Sequence, residues 1–137
     1  MTTIQRFIRF NAVSAAGFAV QLVTVAFLSM ALPDMAATGV AVAVAVVHNF
    51  LWHWRWTWGD RSAGRAGMVA TFLRFSAANG AISLAGNILI VALVVRATGI
   101  DVVAANVVAV GVCGLLNYRI GDRLVFRARE RESIATD

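Results

Sequence analysis

Four arginines stand at matching positions in this 137-residue sequence, each where a long apolar run begins or ends. Arg9 and Arg74 lie 65 residues apart in two copies of the pattern Phe-x-Arg-Phe, and Arg55 and Arg123 lie 68 residues apart beyond two later runs. A guanidinium presents a planar fork of N–H donors that matches a phosphate group. We therefore expect the four arginines to surround one entrance and to bind the phosphate of an anionic lipid. Ordinary anchoring of cationic side chains at a membrane surface is the alternative.

Uncharged polar side chains recur inside the apolar runs at the same offsets. Asn49 and Asn117 match at an offset of 68, and a polar stripe in the third run repeats one in the first run at an offset of 65. Amides hydrogen-bond hydroxyl groups without adding charge, so these side chains are candidates for a path that a sugar headgroup follows. The alternative is a set of interhelical hydrogen bonds worth about 0.6 kcal/mol each. The candidate path residues are Asn49, Asn117, Asn79, Asn11, Gln21 and His53.

Residues suited to bond-making chemistry are scarce. His48 and His53 are five residues apart, which puts them on different faces of a helix, and Cys113 is the single cysteine. We predict no metal site and no cofactor, since no further ligand lies near these residues in sequence. The apolar runs contain no Asp or Glu, so a proton-coupled drug exporter would lack its carboxylate, and a sugar transferase would lack the oxygen ligands of its metal site. The sequence predicts that the protein is not an enzyme.

The composition is typical of a membrane protein. Hydrophobic residues make up 60% of the chain and charged residues 14%, whereas soluble proteins have ~45–50% apolar and ~25% charged residues. All twelve basic residues are arginine, and the net charge is +5. A nucleic-acid surface needs one continuous basic face, but these arginines lie at the ends of apolar runs, where lipid headgroups carry phosphate. We predict membrane lipids as partners and no nucleic acid.

The elements that position these side chains are four transmembrane helices. Each apolar run is long enough to cross the ~30 Å hydrocarbon core of a bilayer, which takes ~20 helical residues. Gly39 to Val47 alternates with a period of two, but both alternating residues are apolar, and a lone strand cannot satisfy its backbone in lipid. The predicted fold class is therefore an all-α membrane protein. The predicted helices cover about Phe7 to Leu32, Met35 to Trp54, Met68 to Val95 and Val102 to Ile120.

The matching offsets indicate one helical hairpin used twice in parallel orientation. We predict a single transmembrane domain over 1–137, with repeat A at 1–58, a linker at 59–67, repeat B at 68–126 and a cytoplasmic tail at 127–137. The first run resembles a signal peptide, but its opening pattern recurs inside the chain, so we expect it to be retained as a helix. Eleven arginines fall on one side of the predicted membrane and only Arg96 on the other. Because cytoplasmic loops carry the excess of basic residues, both termini are expected in the cytoplasm.

Over nearly its whole length the chain resembles the GtrA family of small membrane proteins. The residues that carry the resemblance are Asn49, Phe50, Trp56, Thr57 and Trp58, with Asn117 and Phe126 in support. The family pattern places an Asn-Arg pair before x-Trp-Thr-Phe, whereas this chain has His53 and Trp54 there and its arginine at Arg55. The resemblance implies a role in cell-surface polysaccharide synthesis, in which a sugar linked to undecaprenyl phosphate moves from the cytoplasmic to the outer leaflet.

Two hypotheses remain open for the function. The first is a flippase for a polyprenyl-phosphate-linked sugar in the inner (plasma) membrane, in which the arginines capture the phosphate and the amides guide the sugar. The second is a non-transporting membrane anchor or accessory subunit of a polyprenyl-phosphate glycosyltransferase. Four short helices make a thin wall for a path, so we expect a homodimer or a larger assembly. The expected partners are thus the sugar lipid, a second copy of the chain and, for the second hypothesis, a glycosyltransferase.

Overall fold

The computed structural model describes residues 1–61 and 67–126, and these ranges consist of helices joined by turns, without a strand. The predicted all-α membrane fold with four transmembrane helices is confirmed. The spans that are long and apolar enough to cross a membrane are Thr3–Leu28, Asp34–Thr57, Met68–Thr98 and Val102–Val125. The centre of the predicted linker and the predicted cytoplasmic tail lie outside the described residues, together with Arg65, Arg127, Arg129 and Arg131.

The described residues fall into two compact units, one on each side of residues 62–66. In the first unit, α1 (Thr3–Leu28) and α2 (Asp34–Trp52) pack against each other. A capping box explains why α1 begins ahead of its apolar run: Gln5 N–H donates to the Thr2 hydroxyl, and Thr2 N–H donates to the Gln5 side chain. These two bonds satisfy backbone donors that the first turn of a helix leaves open.

The second unit contains α3 (Met68–Ala81), α4 (Asn87–Thr98) and α5 (Val102–Ile120). α3 and α4 together form the third predicted span, but a π turn at Ile82–Gly86 interrupts its α-helical bonding, an interruption that the apolar run did not predict. α5 has the predicted bounds. It begins after Asp101, whose carboxylate accepts two backbone N–H groups of the first turn, which stabilises the positive end of the helix.

Two further π turns follow α2 and α5. They cover His53–Thr57 and Gly121–Val125, which lie 68 residues apart. In each, the N–H of the next residue bonds to the carbonyl five residues back, at 2.8 Å in the first and 3.1 Å in the second. A π turn adds one residue to a helical turn and often marks a functional site. The equal placement of the two turns agrees with the predicted repeat.

The buried positions of the two units also agree at this offset. Seven positions from α2 to Trp58 are buried, and each has a buried counterpart 68 residues later. The pairs are Ala37 and Ala105, Ala41 and Ala109, Ala45 and Cys113, Phe50 and Tyr118, His53 and Gly121, Thr57 and Val125, and Trp58 and Phe126. Small residues occupy the first three pairs, and such residues let neighbouring membrane helices approach closely. The pattern is consistent with a repeat, and both the repeat and its parallel orientation stay predictions.

Candidate functional site

The start of α1 and the π turn at His53–Thr57 meet at one end of the first unit, which we call its arginine end. Arg9 Nη1 donates to the Trp56 carbonyl oxygen at 3.0 Å, and the guanidinium carbon of Arg9 lies 5.2 Å from the centre of the Trp56 ring. This cation–π contact holds the guanidinium in place and leaves other N–H donors of its fork for an anion. Arg55 is exposed on the same π turn. The structure therefore brings two predicted phosphate ligands, Arg9 and Arg55, to one end.

Arg6 contributes an ion pair that the sequence analysis missed. Its Nη2 atom lies 2.7 Å from Asp60 Oδ2, and the Arg6 side chain is almost fully buried. Because a buried charge needs a partner, the carboxylate of Asp60 compensates Arg6 and connects the chain beyond the π turn to the start of α1. The sequence did contain a signal for this ion pair: Asp60 follows the end of α2, and Arg6 lies near the start of α1, so the two residues fall at the same end of a helical hairpin.

In the second unit, the start of α3 and the last π turn likewise meet at one end, which we call its arginine end. The rings of Phe75 and Phe126 lie 6.4 Å apart, which brings the start of α3 next to the π turn at Gly121–Val125. Arg74 precedes Phe75, Arg123 belongs to the π turn, and both arginines are exposed. Each unit thus presents one pair of the predicted phosphate ligands. A single ring of all four arginines stays a prediction.

His53 occupies the centre of an aromatic cluster at the arginine end of the first unit. Its ring stacks on Phe10, with centres 4.8 Å apart and planes 10° apart, and meets the Trp58 ring edge-on at 5.2 Å. His53 Nδ1 is hydrogen-bonded to Thr57 Oγ1 at 3.0 Å, and the side chain is buried. His53 therefore packs the end of α2 onto α1. Its role in a headgroup path stays a prediction.

The side chain of Asn49 on α2 lies against a glycine of α1. Its Oδ1 atom is 3.3 Å from His48 Nδ1, and its amide covers the backbone of Gly17 so tightly that a Cβ atom at position 17 would overlap Asn49 Oδ1. Glycine is thus required at position 17 by a neighbouring side chain. The contact places the predicted path residue Asn49 between the two helices of the first unit.

We expect the substitution Gly17→Ala to displace the Asn49 amide and to lower the free energy of unfolding by about 1 kcal/mol, as overpacking does. The measurement is denaturation of the purified protein in mixed micelles, together with the side-chain amide NMR signal of Asn49. Gly39→Ala is the matched control, because a Cβ there meets no atom within 4 Å and alanine favours a helix over glycine. Equal stability changes for the two variants would contradict the contact.

Asn117 also joins two helical segments of its unit. Its Nδ2 atom donates to Ser83 Oγ at 3.2 Å, across to the π turn at Ile82–Gly86. The Cys113 thiol donates to the Ile82 carbonyl in the same turn at 3.4 Å. The Oδ1 atom of Asn117 is buried and accepts no hydrogen bond from the described residues. The role of Asn117 in a headgroup path stays a prediction.

The remaining path candidates show no shared arrangement. Asn11 is exposed and donates to the Phe7 carbonyl of its own helix at 2.8 Å. Gln21 and Asn79 are half-buried on α1 and α3. Asn11 thus satisfies part of its hydrogen-bonding capacity locally. For all three residues the headgroup path stays a prediction.

A groove that the sequence analysis did not foresee lies between α1 and α2. Its volume is about 320 Å³, within the ~300–1,000 Å³ range of small-ligand pockets. α1 contributes small aliphatic side chains, and α2 with its π turn contributes an imidazole and two indoles. The lining residues are Ala12, Val13, Ala16, His48, Trp52 and Trp56. The last of these is the residue that binds Arg9, so the groove begins at the arginine end.

The chain matches one known protein family over most of its length. A family model described as the GtrA/DPMS transmembrane domain matches residues 9–126, which run from Arg9 to the residue after the last π turn. The match confirms the resemblance seen in the sequence. No curated protein matches the chain at a significant level. Within residues 1–61 and 67–126, no three side chains of His, Cys, Asp or Glu are grouped so that they could hold a metal ion.

Proposed function

Because the chain belongs to the GtrA/DPMS transmembrane domain family, we propose that it moves a polyprenyl-phosphate-linked sugar across the inner membrane for cell-surface polysaccharide synthesis. The family and the four apolar helices identify a multi-pass membrane protein, and the family points to polysaccharide synthesis from lipid-linked sugars. Such transmembrane domains are typically non-catalytic, and we assign no catalytic residue. We further propose that the sugar lipid moves from the cytoplasmic leaflet to the outer leaflet.

The structural observation that best supports transport is the position of Arg9. Its guanidinium is held over Trp56 at the arginine end, and Arg55 is exposed on the same π turn as Trp56. A phosphate diester needs such donors at the membrane boundary, since its charge is costly to move into hydrocarbon without a partner. Asn49 lies further along α2 and offers an amide that carries no charge. The lipid tail can remain in the bilayer while the headgroup passes from cationic to neutral hydrogen-bonding groups.

We place both termini in the cytoplasm. In the described residues, Arg6, Arg9 and Arg55 lie at the arginine end of the first unit, and Arg74 and Arg123 at that of the second, whereas Arg96 is in the last turn of α4. An excess of arginine marks the cytoplasmic side of a membrane protein. We further propose a homodimer or larger assembly, because four helices enclose little space.

The alternative function is an anchor or accessory subunit of a polyprenyl-phosphate glycosyltransferase. One observation favours it: Trp52 and Trp56 are 51% and 40% exposed on one side of α2. Exposed tryptophans are enriched in protein–protein interfaces as well as at membrane boundaries. A partner helix could cover this surface. Transport by the purified protein alone distinguishes the two functions.

The test uses the full chain in phosphatidylcholine vesicles that contain tritiated undecaprenyl-phosphate-linked glucose. Periodate, which does not cross the bilayer, oxidises the sugar in the outer leaflet, so flipping makes the inner pool reactive. We expect faster oxidation than in protein-free vesicles, and an about tenfold lower rate for Arg9→Gln/Arg55→Gln, since each charge-assisted bond contributes substantially. Arg96→Gln is the matched control and should keep the rate. Equal rates with and without protein would overturn transport and leave the accessory function.

A further inference from the structure

The groove between α1 and α2 has an ordered course. The contacts of Arg9 with Trp56 and of Gly17 with Asn49 show that the two helices run in opposite directions. His48, Trp52 and Trp56 follow at intervals of four residues and form one wall, since residues four apart share a helix face. At 1.5 Å per residue, this wall extends about 12 Å inward from the arginine end.

The two ends of the groove offer different polar groups. Arg9 lies at the outer end, where it contacts Trp56. His48 lies at the inner end, with Nδ1 3.3 Å from Asn49 Oδ1. When the Asn49 oxygen accepts this hydrogen bond, Nδ1 carries the proton and Nε2 becomes an acceptor. The groove thus has a cation for a phosphate at its mouth, two indoles along its length and an acceptor for a hydroxyl at its inner end.

The second unit supplies an internal comparison for this wall. Its seven buried positions match those of the first unit at the offset of 68, yet the positions that correspond to His48, Trp52 and Trp56 hold Leu116, Ile120 and Leu124. Aliphatic side chains therefore meet the packing needs of this helix surface. Packing therefore does not require the imidazole and indoles of the first unit, and these side chains add hydrogen-bonding groups and aromatic faces to the groove.

We propose that the groove binds the headgroup of a glycosyl phosphate lipid before transport: the phosphate at Arg9, the sugar ring against Trp52 and Trp56, and a sugar hydroxyl at His48. This inference rests on the proposed function and names the entry site for its substrate. An aromatic face packs against the C–H face of a pyranose ring, and the hydroxyls at the ring edge remain free for hydrogen bonds. The alanines of α1 leave room for the ring.

The test replaces the wall by the residues of the second unit: His48→Leu, Trp52→Ile and Trp56→Leu. Binding of tritiated farnesyl-phosphate-linked glucose and of farnesyl phosphate is measured with the full chain in phosphatidylcholine nanodiscs. We expect the triple variant to bind the sugar-bearing probe about tenfold more weakly than the natural chain. The affinity for farnesyl phosphate should fall much less, since Arg9 loses the indole of Trp56 but can still donate to the backbone carbonyl at position 56. Leu116→Ala/Leu124→Ala, at the matching positions of the second unit, is the control and should bind both probes normally.

Equal loss for the two probes would overturn the sugar site and assign the groove to a hydrocarbon chain; unchanged binding would overturn it entirely. Trp52→Phe/Trp56→Phe retains aromatic faces and should bind the sugar probe more tightly than Trp52→Leu/Trp56→Leu, a comparison that remains decisive where the triple variant fails to fold. Failure of the proposed function is separable. A natural chain that binds the probe without flipping it contradicts transport alone, whereas a triple variant that binds and flips normally contradicts the groove alone.

Discussion

Replacing His53 by alanine is expected to lower the free energy of unfolding of the first unit by about 3 kcal/mol. The His53 side chain is 1% exposed, and it fills the space between the rings of Phe10 and Trp58. Truncation to alanine leaves a cavity between these rings, and it removes the hydrogen-bond partner of the Thr57 hydroxyl. A cavity and an unsatisfied buried polar group each destabilise a folded protein.

The measurement is unfolding by sodium dodecyl sulfate in mixed micelles, followed by circular dichroism. His48→Ala makes the same substitution at a half-exposed position and should change stability by much less. Thr57→Val, which installs the residue found at position 125, should be less harmful in the His53→Ala background than alone, because the hydroxyl has already lost its partner. Unfolding of His53→Ala together with the natural chain would show that the cluster does not hold the two helices.

The helices were predictable from sequence because lipid imposes a simple rule. An apolar run that spans the bilayer must satisfy its own backbone, so the run and its helix nearly coincide, as for α5. The π turns were not predictable, since nearly every position in these runs is apolar. A pattern of polar and apolar residues reports helical period only where the two alternate, and at Ile82–Gly86 it cannot distinguish a π turn from an α-helix.

Some features of the candidate site were also predictable from the sequence, and others were not. Arginines at run ends follow from the charge asymmetry of membranes, so Arg9 and Arg55 were accessible to sequence reasoning. The ion pair of Arg6 with Asp60 depends on the register between two helices, which composition does not contain. The burial of His53 was not predictable from the sequence: an imidazole at a membrane boundary suggests exposure, yet the structure buries this one with a hydrogen bond and aromatic neighbours.

The two units share their buried positions but differ along the groove wall. Both units keep small residues at the first buried positions and aromatic residues near the last, so packing constrains these positions alike. The groove wall formed by His48, Trp52 and Trp56 is not part of this buried set, and at these positions the two units have different residues. A difference at exposed positions on a shared scaffold is where binding is expected to evolve. We therefore expect the first unit to make the first contact with the headgroup, while the roles of Arg74, Arg123 and Asn117 in the second unit stay predictions.

The last prediction concerns the close approach of α1 and α2, which both the groove and the Asn49 contact require. Ala41 is 0% exposed, and it lies on the same helix ridge as Ala45 and Asn49, at intervals of four residues. Ala41→Leu adds three carbon atoms where the helices leave no space, so we expect it to push them apart and to lower the free energy of unfolding by about 1–3 kcal/mol.

The expected separation also removes the Asn49 amide from Gly17 and widens the groove, so transport and probe binding should fall together with stability. Ala43→Leu is the matched control, because Ala43 is exposed on the same helix and a leucine side chain there does not have to fit between α1 and α2. Its stability and transport rate should equal those of the natural chain. Both variants are measured by detergent unfolding and by the vesicle assay. Equal tolerance of leucine at positions 41 and 43 would mean that small residues at this ridge do not set the helix spacing, and the groove would then need another support.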